Sequence, residues 1–221
     1  MIDERAGVAE ARAAGAGALR SLGLEVTDAA FGSAVQLMVD RTFKKNGGQW
    51  PGVWSREALM GEALREMGLD VGAASRVSDA YAAARIENLQ LLEGAEETLA
   101  AVSSRVVVGL ISNGPSYEQR AKLRQAGLDG YFRATTVSGD LGKPKPAPEI
   151  FEVALQSLGA LAAESVHVGN NYGHDVVGAR GAGMDAVWLR TKGESAGGGG
   201  VEATAEVGSL REVLSVLGID T

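Results

Sequence analysis

Three short stretches of the chain carry residue types that could do chemistry together. Ser112-Asn113-Gly114 ends an apolar run from Val106 to Ile111 and would put a hydroxyl and free backbone amides at a strand tip. Gly142-Lys143-Pro144-Lys145-Pro146-Ala147-Pro148 holds three of the five prolines and two lysines whose backbone is nearly rigid. Gly169-Asn170-Asn171 comes after the apolar stretch Val166 to Val168, and Asp175 opens the next helical pattern. A hydroxyl, a fixed ammonium and a carboxylate with neighbouring amides suit a phosphate accompanied by a metal ion. Each stretch alone has a plainer explanation. Ser112 would serve as a strand-end turn residue, Lys145 as a solvated loop lysine and Asp175 as a helix cap. A site is favoured because all three stand just after successive apolar runs, and open parallel sheets bind ligands beyond the carboxyl ends of their strands.

Composition narrows the chemistry further. The chain has 221 residues, about one and a half domains' worth. Hydrophobic residues make up 45% and charged residues 22%, enough apolar surface for a core and no case for disorder. A formal net charge of -7 repels polyanions and argues against a nucleic-acid or anionic-membrane partner. The chain has no cysteine, which removes disulfides and thiolate chemistry, and its two histidines, His167 and His174, argue against a multi-histidine zinc site. Asp3, Glu4 and Arg5 stand where a signal peptide would be basic and then apolar, and no run of about 18 apolar residues occurs, so the expected location is the cytoplasm. Monomer and homodimer are both open.

The elements that must position these residues fall into two textures. Residues 1–90 read as a helical domain. Ala6 to Leu22, Asp28 to Phe43, Ser55 to Leu69 and Ala80 to Leu91 carry helical patterns, with a Gly/Pro break at Gly47 to Val53. Ser55 is a cap-type residue ahead of a face made by Leu59, Ala63, Leu64 and Met67. Gly23, Gly68 and Gly72 sit where helix ends are expected. Residues 91–221 alternate apolar runs with amphipathic segments. Strands are expected at Val106 to Ile111, buried on both faces, and at Ala134 to Ser138, Val166 to Val168 and Ala186 to Leu189. Helices are expected at Ser116 to Ala126, with a capping box from Ser116 to Gln119, at Pro148 to Leu158, ended by Gly159, at Asp175 to about Ala182, and at Ser209 to Leu217, with a second capping box to Glu212. The fold class is α/β, a doubly wound parallel sheet with a four-helix cap. The run Gly197 to Gly200 reads as a surface loop, since no helix start or lysine comes after it.

The stretches VVVGLISNG, LGKPKPAPEIF and HVGNNYGHDVVGARGAGM, in that order, resemble motifs two, three and four of the haloacid dehalogenase-like hydrolase superfamily, in a phosphatase-type branch with a helical cap. The resemblance covers essentially the whole chain, with residues 5–90 similar to the cap and LLEGAEETLAAV similar to the return into the core. It implies that Ser112 hydrogen-bonds a phosphoryl oxygen and that Asn113 and Gly114 flank the phosphate. It assigns the motif-three lysine to Lys145, by its spacing to Phe151, with Lys143 as the alternative. That ammonium would neutralise phosphoryl charge and hold the attacking carboxylate ionised. Asp175 matches the second acidic residue of motif four and Asn170 the first, so both fall to magnesium. An amide at Asn170 should weaken that ion's hold.

A second departure is larger. Members of the family attack with an aspartate in an Asp-x-Asp-Gly-Thr segment at the tip of the first strand, between the strands that end at Ser112 and Gly169. No Asp-x-Asp occurs among the 221 residues, and Met1-Ile2-Asp3 resembles the segment immediately after that motif. The expectation is that the encoded protein begins upstream of Met1.

The resemblance implies a magnesium-dependent phosphomonoesterase of small phosphorylated metabolites, acting through an aspartyl-phosphate. The alternatives are a metal-independent 2-haloacid dehalogenase, and a non-catalytic protein that keeps the phosphate crevice. Trp50 and Trp54 around Pro51-Gly52 read as packing among cap helices or as a substrate-contacting cap loop. Trp188 and His167 read as core residues. His174 reads as a surface residue, with a substrate or supporting contact as the alternative.

Overall fold

The computed structural model describes residues 1–3, 6–45, 55–190 and 200–219. The Trp50–Trp54 turn and residues 197–199 of the glycine run lie outside the described residues. By contacts the chain divides into two units. Asp3–Gln90 with Pro115–Ala126 forms one; Met1–Ile2, Leu91–Gly114 and Gly127–Thr221 form the other.

The first unit is helical: α1 (Val8–Arg20), α2 (Asp28–Lys45), α3 (Arg56–Glu66), α4 (Ala74–Glu87) and α6 (Ser116–Gln125). Ser55 caps α3, its side chain accepting from the Ala58 amide. Leu59, Met60, Ala63 and Leu64 then bury one face. Phe31, Leu19, Met60, Leu64 and Val77 are fully buried together, and each side chain of that size stabilises by about 1.5–3 kcal/mol. Close packing explains Gly15, where a Cβ would stand 2.4 Å from the Phe31 ring. Two expectations are corrected here. A short 3-10 turn at Val71–Ala73 leads straight into α4, so α4 starts at Ala74 instead of Ala80, and Gly72 lies inside that turn. Helix α6 has Pro115, which lacks a side-chain acceptor, at its cap position, so Ser116 falls inside the helix, where its Oγ accepts from Arg120 Nε (3.1 Å). The Ser116 capping box is therefore not formed.

The second unit contains α5 (Ala95–Ser103), β1 (Gly109–Ser112), β2 (Ala134–Val137), α7 (Ser138–Leu141), α8 (Pro148–Leu158), β3 (Val166–Gly169), α9 (Val177–Gly181), β4 (Asp185–Leu189), β5 (Ala205–Val207) and α10 (Leu210–Val216). All strand pairs are parallel, in two sheets ordered β1-β2 and β3-β4-β5. Alternation along β4 shows the double winding. Ala186 and Trp188 pack with Ile150, Phe151 and Val176 on one face, while Val187 and Leu189 pack with Ala95, Leu210 and Val213 on the other. Helix α8 opens on Pro148 and closes on Gly159 in the left-handed conformation. Ser209 caps α10 and meets Glu212, whose other oxygen accepts from the Gly208 amide.

The expected strand Val106 to Ile111 is displaced. Pairing begins with Arg133 N donating to Val108 O (2.8 Å), and Val106 and Val107 are exposed. Strand β1 itself is half-buried. Among the described residues, no strand lies beside the edge of β1 away from β2 or the edge of β3 away from β4.

Candidate functional site

The loops after β1, β2 and β3 meet around one side chain, that of Lys145. Asn113 holds the lysine's backbone from both sides: Lys145 N donates to Asn113 Oδ1 (2.8 Å), and Asn113 Nδ2 donates to Lys145 O (3.1 Å). The Lys145–Pro146 peptide is cis. The Lys145 side chain, 12% exposed, reaches back to the strand tips. Its Nζ donates to Ile111 O (3.0 Å) and to Asp175 Oδ1 (2.6 Å). An ammonium has three N–H donors; the third has no acceptor among the described residues.

Asp175 sits in a π turn, Tyr172–Val176, that leads into α9. Asn171 starts the turn, its Oδ1 accepting from the His174 amide (2.8 Å). The Asn171 amide donates to Asp175 Oδ2 (2.9 Å), and Asp175 N donates back to Asn171 O (2.7 Å). His167 Nε2 lies 3.2 Å from Asp175 Oδ1. Burial alone would push the Asp175 carboxyl up, but the Lys145 ammonium and the His167 contact outweigh it and hold it well below the usual carboxylate range. Burial pushes the His167 ring down; the hydrogen bond to Asp175 opposes that shift and the Lys145 charge adds to it. His167 is therefore neutral at pH 7. Facing a carboxylate that can only accept, its Nε2 carries the proton.

The structure places the other expected site residues at varying distances from this cluster. Ser112, at the tip of β1, is half-buried beside it. The Gly114 amide is not free: it donates to Ser138 Oγ (3.0 Å), which corrects the expectation of open amides at that tip. Lys143 is not brought to the cluster; it pairs with Glu149 at 2.9 Å on the surface. The Asn170 side chain is exposed, while its backbone oxygen accepts from Trp188 Nε1 (2.8 Å). His174 is half-buried, and burial lowers its pKa.

A magnesium ion would find little here. Of the four lone-pair positions of the Asp175 carboxylate, Lys145, His167 and Asn171 occupy three, and no group of three His, Asp or Glu side chains clusters among the described residues. Magnesium keeps several of its waters and is held by one or two carboxylates beside a substrate phosphate, and the one carboxylate at this crevice is already engaged by an ammonium. The described residues do not by themselves fit the ion.

The haloacid dehalogenase-like hydrolase family profile matches residues 5–183. The chain belongs to that family. Among its relatives, a phosphoserine phosphatase of Thermus thermophilus is 37% identical over 74% of this chain and 65% of its own length. This chain thus spans just under two thirds of that relative. A 2-haloacid dehalogenase from Pseudomonas syringae has a similar structure, with a TM-score of 0.74 at 25% identity over 98% of this chain and 93% of the other. An HAD phosphatase from Thermococcus onnurineus superimposes with a TM-score of 0.65 at 25% identity, covering 95% and 89%. The residue that sequence reasoning missed is His167, which reads as core. The available signal is its place two residues before Gly169 on one strand, hence on the same face.

Proposed function

We propose that the protein is a phosphomonoesterase of small phosphorylated metabolites. The observation that carries this reading is the Lys145 ammonium, fixed by Ile111 O and Asp175 at the tips of β1 and β3 with one N–H to spare. A phosphoryl oxygen would take that N–H, and the Ser112 hydroxyl would take a second oxygen. Asn113 supports the arrangement by holding the Lys145 backbone. The attacking carboxylate that the family resemblance implies belongs to an Asp-x-Asp-Gly-Thr segment, which the 221 residues do not contain. The present residues would bind the phosphoryl group, offset its charge and stabilise the charge that develops on it. Magnesium, also implied by the resemblance, is proposed to bind weakly, because Asn170 offers an amide in place of a carboxylate and Asp175 is largely engaged.

The test is hydrolysis of p-nitrophenyl phosphate, by the chain alone and by the chain preceded by the upstream in-frame codons of its gene, each with magnesium and with EDTA. Turnover that survives the Lys145→Ala substitution would refute the assignment. A second reading, hydrolysis of a carbon–halogen bond without metal, is favoured by Asn170 and by the likeness to the dehalogenase. Chloride release from a 2-haloacid in EDTA distinguishes it.

A further inference from the structure

His167 lies on β3, on the face that carries Gly169, because residues two apart on a strand point the same way. Asp175 packs directly on that face: a Cβ at Gly169 would stand 2.2 Å from Asp175 Cγ. The strand therefore offers the carboxylate a bare backbone at Gly169 and one donor at His167 (3.2 Å). The ring is itself held edge-on by Phe151, with centroids 5.3 Å apart at 84°. Phe151 in turn leaves no room for a side chain at Gly178, where a Cβ would be 2.6 Å from the ring. Packing thus aims Nε2. Without that donor, the Asp175 carboxylate would keep only the Asn171 amide on Oδ2 and the Lys145 ammonium on Oδ1, and its tilt would no longer be set by a group outside the pair it forms with the lysine.

We infer that His167 is a positioning residue of the phosphate crevice: by donating to Asp175 Oδ1 it fixes the carboxylate's rotation, and the carboxylate fixes the direction of the Lys145 ammonium. This rests on the phosphate reading for its consequence, but its structural content does not. A donor one step from the binding group orients it without touching the ligand, and loss of such a donor costs on the order of 10-fold in affinity or rate.

Two variants test it. His167→Leu keeps apolar volume against Phe151 and removes the donor; His167→Gln keeps an N–H near the Nε2 position. The first readout is the Lys145 ammonium cross-peak in a proton–nitrogen NMR spectrum at low temperature, which is visible only when the group is held. It should be present in wild type and in His167→Gln and broadened away in His167→Leu, with all three folded by amide dispersion. The second is inorganic phosphate binding by calorimetry, expected to weaken about 10-fold in His167→Leu and to recover to within about 3-fold in His167→Gln. A Lys145 peak unchanged in His167→Leu, or a Gln variant no better than the Leu variant, overturns the inference. Absence of phosphate binding in wild type would instead overturn the phosphate reading, while the ammonium peak still decides the role of His167. A Leu variant that fails to fold leaves the Gln variant, which must retain the peak; its loss there also overturns the inference.

Discussion

Two buried ion pairs, one in each unit, have the same closest contact of 2.6 Å and nearly the same burial, yet they are built for different ends. In the helical unit, Arg56 grips both oxygens of Glu118 with Nε and Nη2, lies over the Tyr81 ring at 5.0 Å, and shares the carboxylate with the Tyr117 hydroxyl. The fork is taken up by the carboxylate, and the pair ties α3 to α6. In the α/β unit, a single-point ammonium meets Asp175 at the strand tips and keeps a donor in reserve. A planar guanidinium suits the closed lock and a point charge suits the open site. Burial of charge alone therefore does not mark a site; an uncommitted donor at the carboxyl end of a parallel strand does.

Removing one partner should break the two pairs in different ways. Glu118→Ala leaves Arg56 buried without its anion and should cost about 3–5 kcal/mol in denaturant unfolding. The double replacement Arg56→Met with Glu118→Leu should cost less than either single change, because neither charge is then left uncompensated. Next in size is Gly169→Ala, whose new methyl would displace Asp175 from β3; phosphate binding should be lost while the helical unit keeps its unfolding behaviour.

A smaller and more specific effect is in the acid limb. Asp175 has a depressed pKa in the folded state, so its contribution is complete above the ordinary carboxylate value near 4 and is lost as pH falls below it. The stability gap between wild type and Asp175→Asn should shrink steadily from about pH 4 downward. His167 is also lowered, so the unfolded chain takes up its proton first and stability declines as pH falls through about 6.5. His174 is lowered too and its contribution declines in the same window, so His167→Gln should make that part of the curve shallower without abolishing it. Lys143→Ala should have the smallest effect on phosphate affinity, since its ammonium is engaged by Glu149 at the surface.

Much of the fold and site is legible in the sequence where local chemistry decides. Pro148 and Gly159 bound α8, Ser55 caps α3, and the three loops that come after successive strands hold Ser112, Lys145 and Asp175. The features that escape depend on partners distant in the chain. Val106 and Val107 are apolar enough for a strand, but pairing starts only at Val108, and composition cannot say which valines find a neighbour. Strand β5 is three residues long, too short for a two-residue period to reveal. Ser116 loses its expected role because the helix begins one residue earlier than a Ser cap requires, with Pro115 at the cap position. Arg56 and Glu118 are 62 residues apart in the chain and carry no motif. His167 reads as a core residue because strand alternation reports burial, not the atom waiting on the other side.

On the proposed reading, Lys145 is the anion-holding group of the crevice. Calorimetric titration of inorganic phosphate into wild type and into Lys145→Met, which keeps the aliphatic stem and removes the charge, tests it directly. Binding to wild type with at least a 10-fold loss in the variant is the predicted result; equal binding by the two proteins would contradict it.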